Sequence, residues 1–365
     1  MEPKICVYAI AKNEIKFIER WHNSVKEADY ICVLDTGSTD GSFEKFKELG
    51  IITKQKVYSS FRFDVARNDS MKLIPPNATI CVCVDIDEIF EPGWSKILKD
   101  NWKETTIRAK YRYTWNFNKD GSEGIVFMAD KIHKYGAYVW THPVHEVLLP
   151  KNSNLQGDVL NLPNIQLNHR ADTTKSRSNY LPLLELSIKE QPLDDRNMHY
   201  LGREYMYYGK FDQAIKMLKK HLQLPTAKWT EERSASYRYI AECYKQKNNF
   251  KSFVKYLLLA IIEAPNVREP YFALAVEYYN KNKFEESAFY FLQMLKIEKR
   301  ELNYMSLPES WGSLPYDCLS ICFYHLKKYD KAIFYAEKAL AIHPCERILQ
   351  NKNLFVQLFN KKGKN

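Results

Sequence analysis

Three short apolar runs, each passing into a polar loop, mark the first part of the chain. Lys4-Ile5-Cys6-Val7-Tyr8-Ala9-Ile10 leads into Ala11-Lys12-Asn13-Glu14. Ile31-Cys32-Val33-Leu34 leads into Asp35-Thr36-Gly37-Ser38-Thr39-Asp40-Gly41-Ser42. Thr79-Ile80-Cys81-Val82-Cys83-Val84 leads into Asp85-Ile86-Asp87-Glu88. Runs of this length, rich in β-branched residues and bounded by turns, read as strands buried on both faces of a parallel sheet. Strand, polar loop and helix recur in that order, which is the βαβ pattern of an α/β domain.

Further along, the period changes. A turn at Ile89-Phe90-Glu91-Pro92-Gly93-Trp94 opens a helix from Trp94 to Lys103. From Ile107 to Asn118 the residues alternate, with Tyr111, Tyr113, Trp115 and Phe117 on one face and Lys110, Arg112, Asn116 and Asn118 on the other. Asn118-Lys119-Asp120-Gly121 reads as a hairpin turn, and Ile125 to Ile132 as the partner strand. The segment Val139 to Val147 mixes ionisable and apolar residues, and Ile165 to Arg170 reads as a strand end. Asp172 to Arg177 is the expected entry to a helix, capped by Asp172 or Thr173.

From residue 195 onward the pattern is helical and repeats. Phe211, Phe250, Phe284 and Tyr329 each follow a turn, at offsets of 39, 34 and 45 residues by subtraction. Six residues before each stands Tyr205, Tyr244, Tyr278 or Phe323, and three after each stands Ala214, Phe253, Ser287 or Ala332. A period near 34 with such fixed positions resembles the tetratricopeptide helix–turn–helix, as do Leu201-Gly202-x-x-Tyr205 and Tyr335-Ala336-x-x-Ala339-x-x-x-x-Pro344. The longest offset implies an insertion around Tyr304 to Gly312. Such repeats stack into a curved solenoid with a concave groove. An arbitrary helical bundle is the competing reading.

Composition narrows the setting. With 365 residues, two domains are expected. The apolar share of 45% and charged share of 27% are those of a soluble globular protein. The net charge is +10, but it is scattered apart from Lys361-Lys362-Gly363-Lys364, so no nucleic-acid partner is expected. The most apolar helical stretch, Phe253 to Ile262, is broken by Lys255 and too short to cross a bilayer. No signal peptide is expected, since neither a basic stretch nor a long apolar run stands before the strand that begins at Lys4. The eight cysteines lie within elements without metal or redox spacing, which suits buried thiols in a reducing, cytoplasmic setting.

The chemistry concentrates in Asp85-Ile86-Asp87-Glu88. Carboxylates crowded at the carboxyl end of a strand repel unless a cation lies between them. Their oxygens suit a hard divalent ion, Mg²⁺ or Mn²⁺, completed by phosphate oxygens. A solvated acidic loop is the plainer alternative.

Four segments taken together carry a resemblance: Ile10-Ala11-Lys12-Asn13-Glu14, Asp35 to Ser42, Ala66-Arg67-Asn68 and Asp85 to Glu88. In this order they resemble the family 2 glycosyltransferases over about the first half of the chain. The resemblance implies an α/β GT-A nucleotide-diphospho-sugar transferase domain, here followed by an all-α tetratricopeptide-like solenoid. The divisions are 1–172 for the transferase domain, 173–194 for a connecting helix, and 195–365 for the repeats. It implies a UDP-sugar donor and inversion at the transferred sugar. Asp87 is then the metal ligand, with Asp85 on the ribose or on the metal through water, and Glu88 behind them or simply a charge at the next turn. Asp35 takes a hydrogen bond from uracil, and Asn13 and Glu14 frame base and ribose. Arg67 pairs with the nucleotide and Asp64 sets base or ribose contacts; alternatively Arg67 bridges to Asp64 or Asp69 on the surface.

The base is less defined, because the Glu-Asp pair usual late in the domain is missing. His145-Glu146 stands at a comparable place in members that carry repeats. Glu146 among Trp140, Val144 and Val147 would have its pKa raised by burial, which suits a general base. His145 or His169 completes the metal shell, with His142 a weaker candidate; each can equally be a core histidine. The repeats suggest a peptide or protein acceptor, with a lipid-linked or polysaccharide acceptor left open, or else a brace for the first domain or a homodimer surface. Two other classes compete: an inactive scaffold that binds a protein partner, and a nucleotidyltransferase. The Gly-free segment Ala9 to Phe17 argues against the latter.

Overall fold

The computed structural model describes residues 2–172 and 180–362. The chain divides into two compact units, Met1–Pro192 and Leu193–Asn365.

The first unit is a mixed sheet with helices on its faces. Its elements run β1 (Ile5–Ala11), α1 (Ile18–Val25), β2 (Tyr30–Asp35), α2 (Ser42–Glu48), β3 (Ile52–Gln55), α3 (Phe63–Met71), β4 (Ile80–Cys83), β5 (Glu88–Phe90) and α4 (Trp94–Asn101). They continue with β6 (Thr106–Thr114), β7 (Val126–Lys134), β8 (Tyr138–Thr141), β9 (Val147–Pro150), β10 (Asp158–His169) and α5 (Tyr180–Glu190). Eight strands form one sheet in the order β3-β2-β1-β4-β7-β6-β10-β5, and β8 pairs with β9 separately.

β1 to β4 are mutually parallel. β7 is antiparallel to β4 and β6, and β10 is parallel to β6. Thus β1, β2, β3, β4, β6 and β10 point the same way, and their carboxyl ends share one edge.

The absence of internal charge in β1 and β4 is explained by packing on both faces. Ile5, Val7, Ile80 and Val82 face one core with Trp21, Phe46, Trp94 and Leu98. Cys6, Tyr8, Cys81 and Cys83 face the other with Tyr138, Trp140 and Leu148. Seven of the eight cysteines are buried.

Two expectations need correction. The alternating strand stops at Thr114, so Trp115 is not on its inner face but 46% exposed. The turn expected over Ile89–Trp94 comes only at Pro92-Gly93, because Glu88–Phe90 form the strand β5, paired with β10 in the register His169↔Glu88, Asn168↔Ile89 and Leu167↔Phe90. α5 falls within the first compact unit. Its expected cap lies at the edge of the described residues for Asp172 and outside them for Thr173.

The second unit is all helical: α6 (Asp195–Tyr207), α7 (Phe211–Gln223), α8 (Thr230–Gln246), α9 (Phe250–Glu263), α10 (Glu269–Asn280), α11 (Phe284–Leu295), α12 (Leu314–His325), α13 (Tyr329–Ile342) and α14 (Glu346–Lys362). Phe211, Phe250, Phe284 and Tyr329 are the first residues of α7, α9, α11 and α13. Each is thus the same point of a helix–turn–helix pair. The partners three residues later, Ala214, Phe253, Ser287 and Ala332, are all buried. The expected insertion is the stretch between α11 and α12, where only the short 3₁₀ turn Pro308–Ser310 is helical. The unit is a tetratricopeptide-like helical solenoid. Among the described residues no helix is long and apolar enough to cross a membrane.

Candidate functional site

The shared carboxyl edge of the parallel strands gathers the site. Open α/β sheets bind ligands there because loops leave the edge on both sides and backbone groups point outward. Asp35 ends β2, Asp85 to Glu88 follow β4, Trp115 follows β6, and His169 ends β10.

The loops after β1 and β2 are laced together. Asn13 takes a left-handed conformation (φ 56°), which Asn tolerates better than most residues. Its backbone N–H donates to Ser38 Oγ at 2.8 Å, and its side-chain oxygen accepts from Thr39 N at 2.8 Å. Glu14 N donates to Ser42 Oγ at 2.8 Å, and Ile15 N to Asp40 Oδ2 at 3.1 Å. Burial opposes charge on Asp40, but the Ser42 hydroxyl and these amides outweigh it and hold its pKa below the usual carboxylate range.

Asp35 is fully buried. Its Oδ1 accepts from Gly37 N, Ser38 N and Gln55 Nε2, each at 2.9 Å. The tight turn needs Gly37, whose φ of 104° excludes ordinary side chains. Asp35 Oδ2 accepts no hydrogen bond among the described residues. A buried acceptor without a donor is costly, and it marks the position where a ligand donor would be satisfied.

The second cluster centres on Arg67, which is buried on α3. Its guanidinium donates to Asp85 at 2.8 and 3.1 Å, to Cys83 Sγ at 3.0 Å, and through Nε to Glu146 Oε1. It also lies over the Trp140 ring, 5.1 Å from the centroid. The surface bridge to Asp64 or Asp69 is therefore not formed, because α3 turns Arg67 inward. Asp64 pairs with Arg62, which also binds Glu190, and Asp69 pairs with Lys56 and Lys72. The expected apolar setting of Glu146 is corrected too, since its carboxylate meets a guanidinium.

Asp85 is also held by Lys131 Nζ at 3.3 Å. Burial opposes its charge, but Arg67 and Lys131 win, and its pKa lies well below the usual range. Glu88 accepts from Asp85 N at 2.8 Å, Tyr113 OH at 2.8 Å and Lys131 Nζ at 3.0 Å. Burial is the larger influence on Glu88 and raises its pKa.

Asp87, like Asp85, is partly buried. The β5–β10 register sets His169 beside it, with Nε2 3.2 Å from Asp87 Oδ2. His169 Nδ1 lies 2.8 Å from the Trp115 carbonyl, an acceptor only, so Nδ1 carries the proton in the neutral ring and Nε2 offers its lone pair toward Asp87. Burial lowers the pKa of His169, Asp87 raises it, and the net shift is upward.

His145 is elsewhere. It packs edge-on against Tyr180, with centroids 5.7 Å apart, and His142 accompanies it, Nδ1 lying 2.8 Å from Thr141 Oγ1. Both histidines have positive φ, 51° and 76°. Strained backbone of this kind persists where surrounding contacts over-determine it, often beside functional sites. Two such contacts come from α3: Asn68 clamps Trp140, donating to its carbonyl at 2.8 Å and accepting from its N–H at 2.9 Å.

Sequence reasoning did not foresee Lys131, Trp115, Tyr113, Gln55 or the clamp by Asn68. Asn68 stood within the quoted Ala-Arg-Asn segment, but only the fold reveals its partner. Lys131 left no distinct signal, because Asp130, His133 and Lys134 stand in the same strand.

No family model matches the chain. No curated protein matches it. Among solved structures, the C-terminal part of a TPR repeat-containing protein from Cytophaga hutchinsonii is 17% identical, over 51% of this chain and 69% of that one, with a TM-score of 0.40. MamA is 18% identical over 45% and 81% (TM-score 0.35). YrrB, described as a TPR protein with an unusual peptide-binding site, is 15% identical over 48% and 83% (TM-score 0.35). At scores this low the assignment of the repeats rests on their own geometry.

Proposed function

We propose that the chain is a metal-dependent glycosyltransferase that moves a sugar from a UDP-sugar to an acceptor with inversion. The observation that carries the reading is the pair Asp87 Oδ2 and His169 Nε2, 3.2 Å apart. Adjacent ligands of an octahedral ion with bonds of about 2.1 Å stand about 3 Å apart. The Trp115 carbonyl fixes the tautomer of His169, as is usual for metal-binding histidines. The charges fit as well: Asp85, Glu88 and Glu146 share two fixed cations, Arg67 and Lys131, while Asp87 faces His169. Among the described residues no group of three or more His, Cys, Asp or Glu is placed to hold a metal ion, so an ion at this pair would need phosphate and water oxygens for the rest of its shell.

Mn²⁺ or Mg²⁺ held there would supply Lewis-acid neutralisation of the departing diphosphate. The rest falls to the chain. Asp35 Oδ2 accepts from the uracil N–H once the loops around Gly37 and Val57 part. Arg67 orients Asp85 toward the ribose side of the site and Glu146 toward the acceptor. Arg67 engages Oε1 of Glu146, so Oε2 is the oxygen that would take a proton. The repeats hold the acceptor, a peptide or protein, by positioning rather than by chemistry.

A second reading is favoured by a different observation. Both oxygens of Asp85 are occupied by cations, and Asp35 is fully buried. These features suit a scaffold that has lost activity and keeps the repeats for a protein partner or a second copy.

Release of UDP from a panel of UDP-sugars with Mn²⁺ and no added acceptor separates the two readings. Slow hydrolysis is expected, abolished by EDTA and restored by Mn²⁺. Asp87→Ala should lower it by a factor of about a thousand, the several kcal/mol that a Lewis acid contributes. An Asp87→Ala protein that folds and hydrolyses at the native rate removes the metal assignment. Absence of hydrolysis and of UDP binding favours the scaffold.

A further inference from the structure

The indole of Trp115 is held in the open beside the metal-binding pair. Its backbone is fixed on both sides: its N–H donates to the Ile125 carbonyl at 2.8 Å, and its carbonyl meets His169 Nδ1. Its ring lies 4.7 Å from the His169 imidazole and 6.2 Å from Tyr113, while Tyr113 stacks on His169 at 6.4 Å and 22°. Single exposed apolar side chains are common and call for no role. This one is distinguished by rigid aromatic backing and by its place along the sheet edge.

That place follows from the strand order. β2, β1, β4, β7 and β6 are successive neighbours, so Asp35, Asp85 to Asp87 and Trp115 stand in line along one edge. Strands are about 4.8 Å apart, which spreads the ends of β2 and β6 over about 19 Å. A nucleotide sugar has the same linear order of base, diphosphate and sugar. With the base at Asp35 and the diphosphate at Asp87, the sugar extends toward β6. We propose that the exposed face of Trp115 stacks on the apolar C–H face of the hexose of a bound UDP-hexose. The proposal rests on the glycosyltransferase reading and adds the residue that recognises the transferred sugar. Aromatic rings bind such faces because the C–H edges are apolar and weakly positive while the ring face is negative.

Titration calorimetry with Mn²⁺ compares UDP, which lacks the sugar, with the UDP-hexose of a panel that the native protein binds best. Trp115→Ala should weaken UDP-hexose binding three- to tenfold, the range of aromatic pair energies, and leave UDP unchanged. Trp115→Phe keeps an aromatic face and should lose less; it also serves should the alanine variant disturb the hairpin. Equal weakening of UDP and UDP-hexose would show that the ring touches the nucleotide, which overturns the proposal. Unchanged UDP-hexose binding in both variants overturns it while leaving the transferase reading intact. Native protein that binds neither ligand overturns that reading, and the stacking proposal with it.

Discussion

Arg67 meets Glu146 across 79 residues of chain, whereas Gly202 makes its tightest approach to Leu218 on the very next helix. The contrast runs through both units. In the sheet unit, groups of opposite charge are brought from α3, β4, β7 and the loop after β8, and none means much without the others. In the solenoid, each helix pair repeats one local solution, with an aromatic ending the first helix and another opening the second. Long-range assembly makes a site, because it can place unlike groups together at one sheet edge. Local repetition makes a surface, because like positions recur along it.

If that difference is real, the largest single effect on stability should come from Arg67. Arg67→Met leaves Asp85 and Glu146 facing each other without their shared cation. Breaking a buried pair by removing one partner is destabilising by about 3–5 kcal/mol. Lys131 moderates the effect at Asp85 and does nothing for Glu146. Urea denaturation should show this loss, and Arg67→Met combined with Glu146→Gln should regain part of it. A single variant with the native midpoint would mean that the cluster is loosely held and contributes little.

How legible each part was follows from the same contrast. The strands of the parallel half were readable because burial on both faces forbids charge within them, as in Ile80 to Cys83. The end of β6 was not, because Trp115 and Phe117 continue the alternation of Tyr111 and Tyr113 past Thr114, where the regular ladder gives way to single backbone bonds and the isolated bridge Phe117↔Glu123. β5 is only three residues long, and its pairing with distant β10 decides it. The loops carrying Asp35 and Asp85 could be located from the sequence. The partners of Arg67 could not, since nothing local links it to residue 146. In the solenoid the aromatic phase was visible, while a second row was overlooked. Gly202, Ala241, Ala275 and Ser320 each stand three residues before the aromatic that ends the first helix, and all are buried.

A smaller effect distinguishes the units by pH. His133 lies in the sheet core, where Tyr8 OH is 2.9 Å from its Nε2 and Trp140 Nε1 donates to that hydroxyl at 2.9 Å. Burial lowers its pKa to about 4. An unfolded chain carries histidine near 6.5. Above that pH both states are neutral and His133 makes no contribution. Between about pH 6.5 and 4 the unfolded chain binds a proton that the native state refuses, so stability falls as pH falls, by about 1.4 kcal/mol per unit. His133→Gln keeps an acceptor for Tyr8 and removes this titration. Its stability should therefore fall less steeply than the native protein's over that window, and the difference between the two slopes isolates His133 from His199, whose pKa burial also lowers. Parallel curves would place the acid sensitivity elsewhere.

The smallest effect tests the local unit. A Cβ at Gly202 would come within 2.5 Å of Leu218 Cγ and 3.2 Å of the Leu218 backbone nitrogen. Leu218 is fully buried and cannot swing away. Overpacking of this kind is destabilising by about 1–3 kcal/mol. Alanine also favours a helix over glycine by about 1 kcal/mol, so the net loss for Gly202→Ala should be about 0–2 kcal/mol. The sister repeats carry Ala241 and Ala275 at this position, so the reverse changes, Ala241→Gly and Ala275→Gly, should also destabilise, through lost helix preference and an unfilled gap. Both directions being unfavourable would mean that each helix pair has set its own spacing around its own small residue. If Gly202→Ala instead raises the unfolding midpoint, α6 and α7 can adopt the spacing of the other pairs at no expense, and the repeats are interchangeable at this contact.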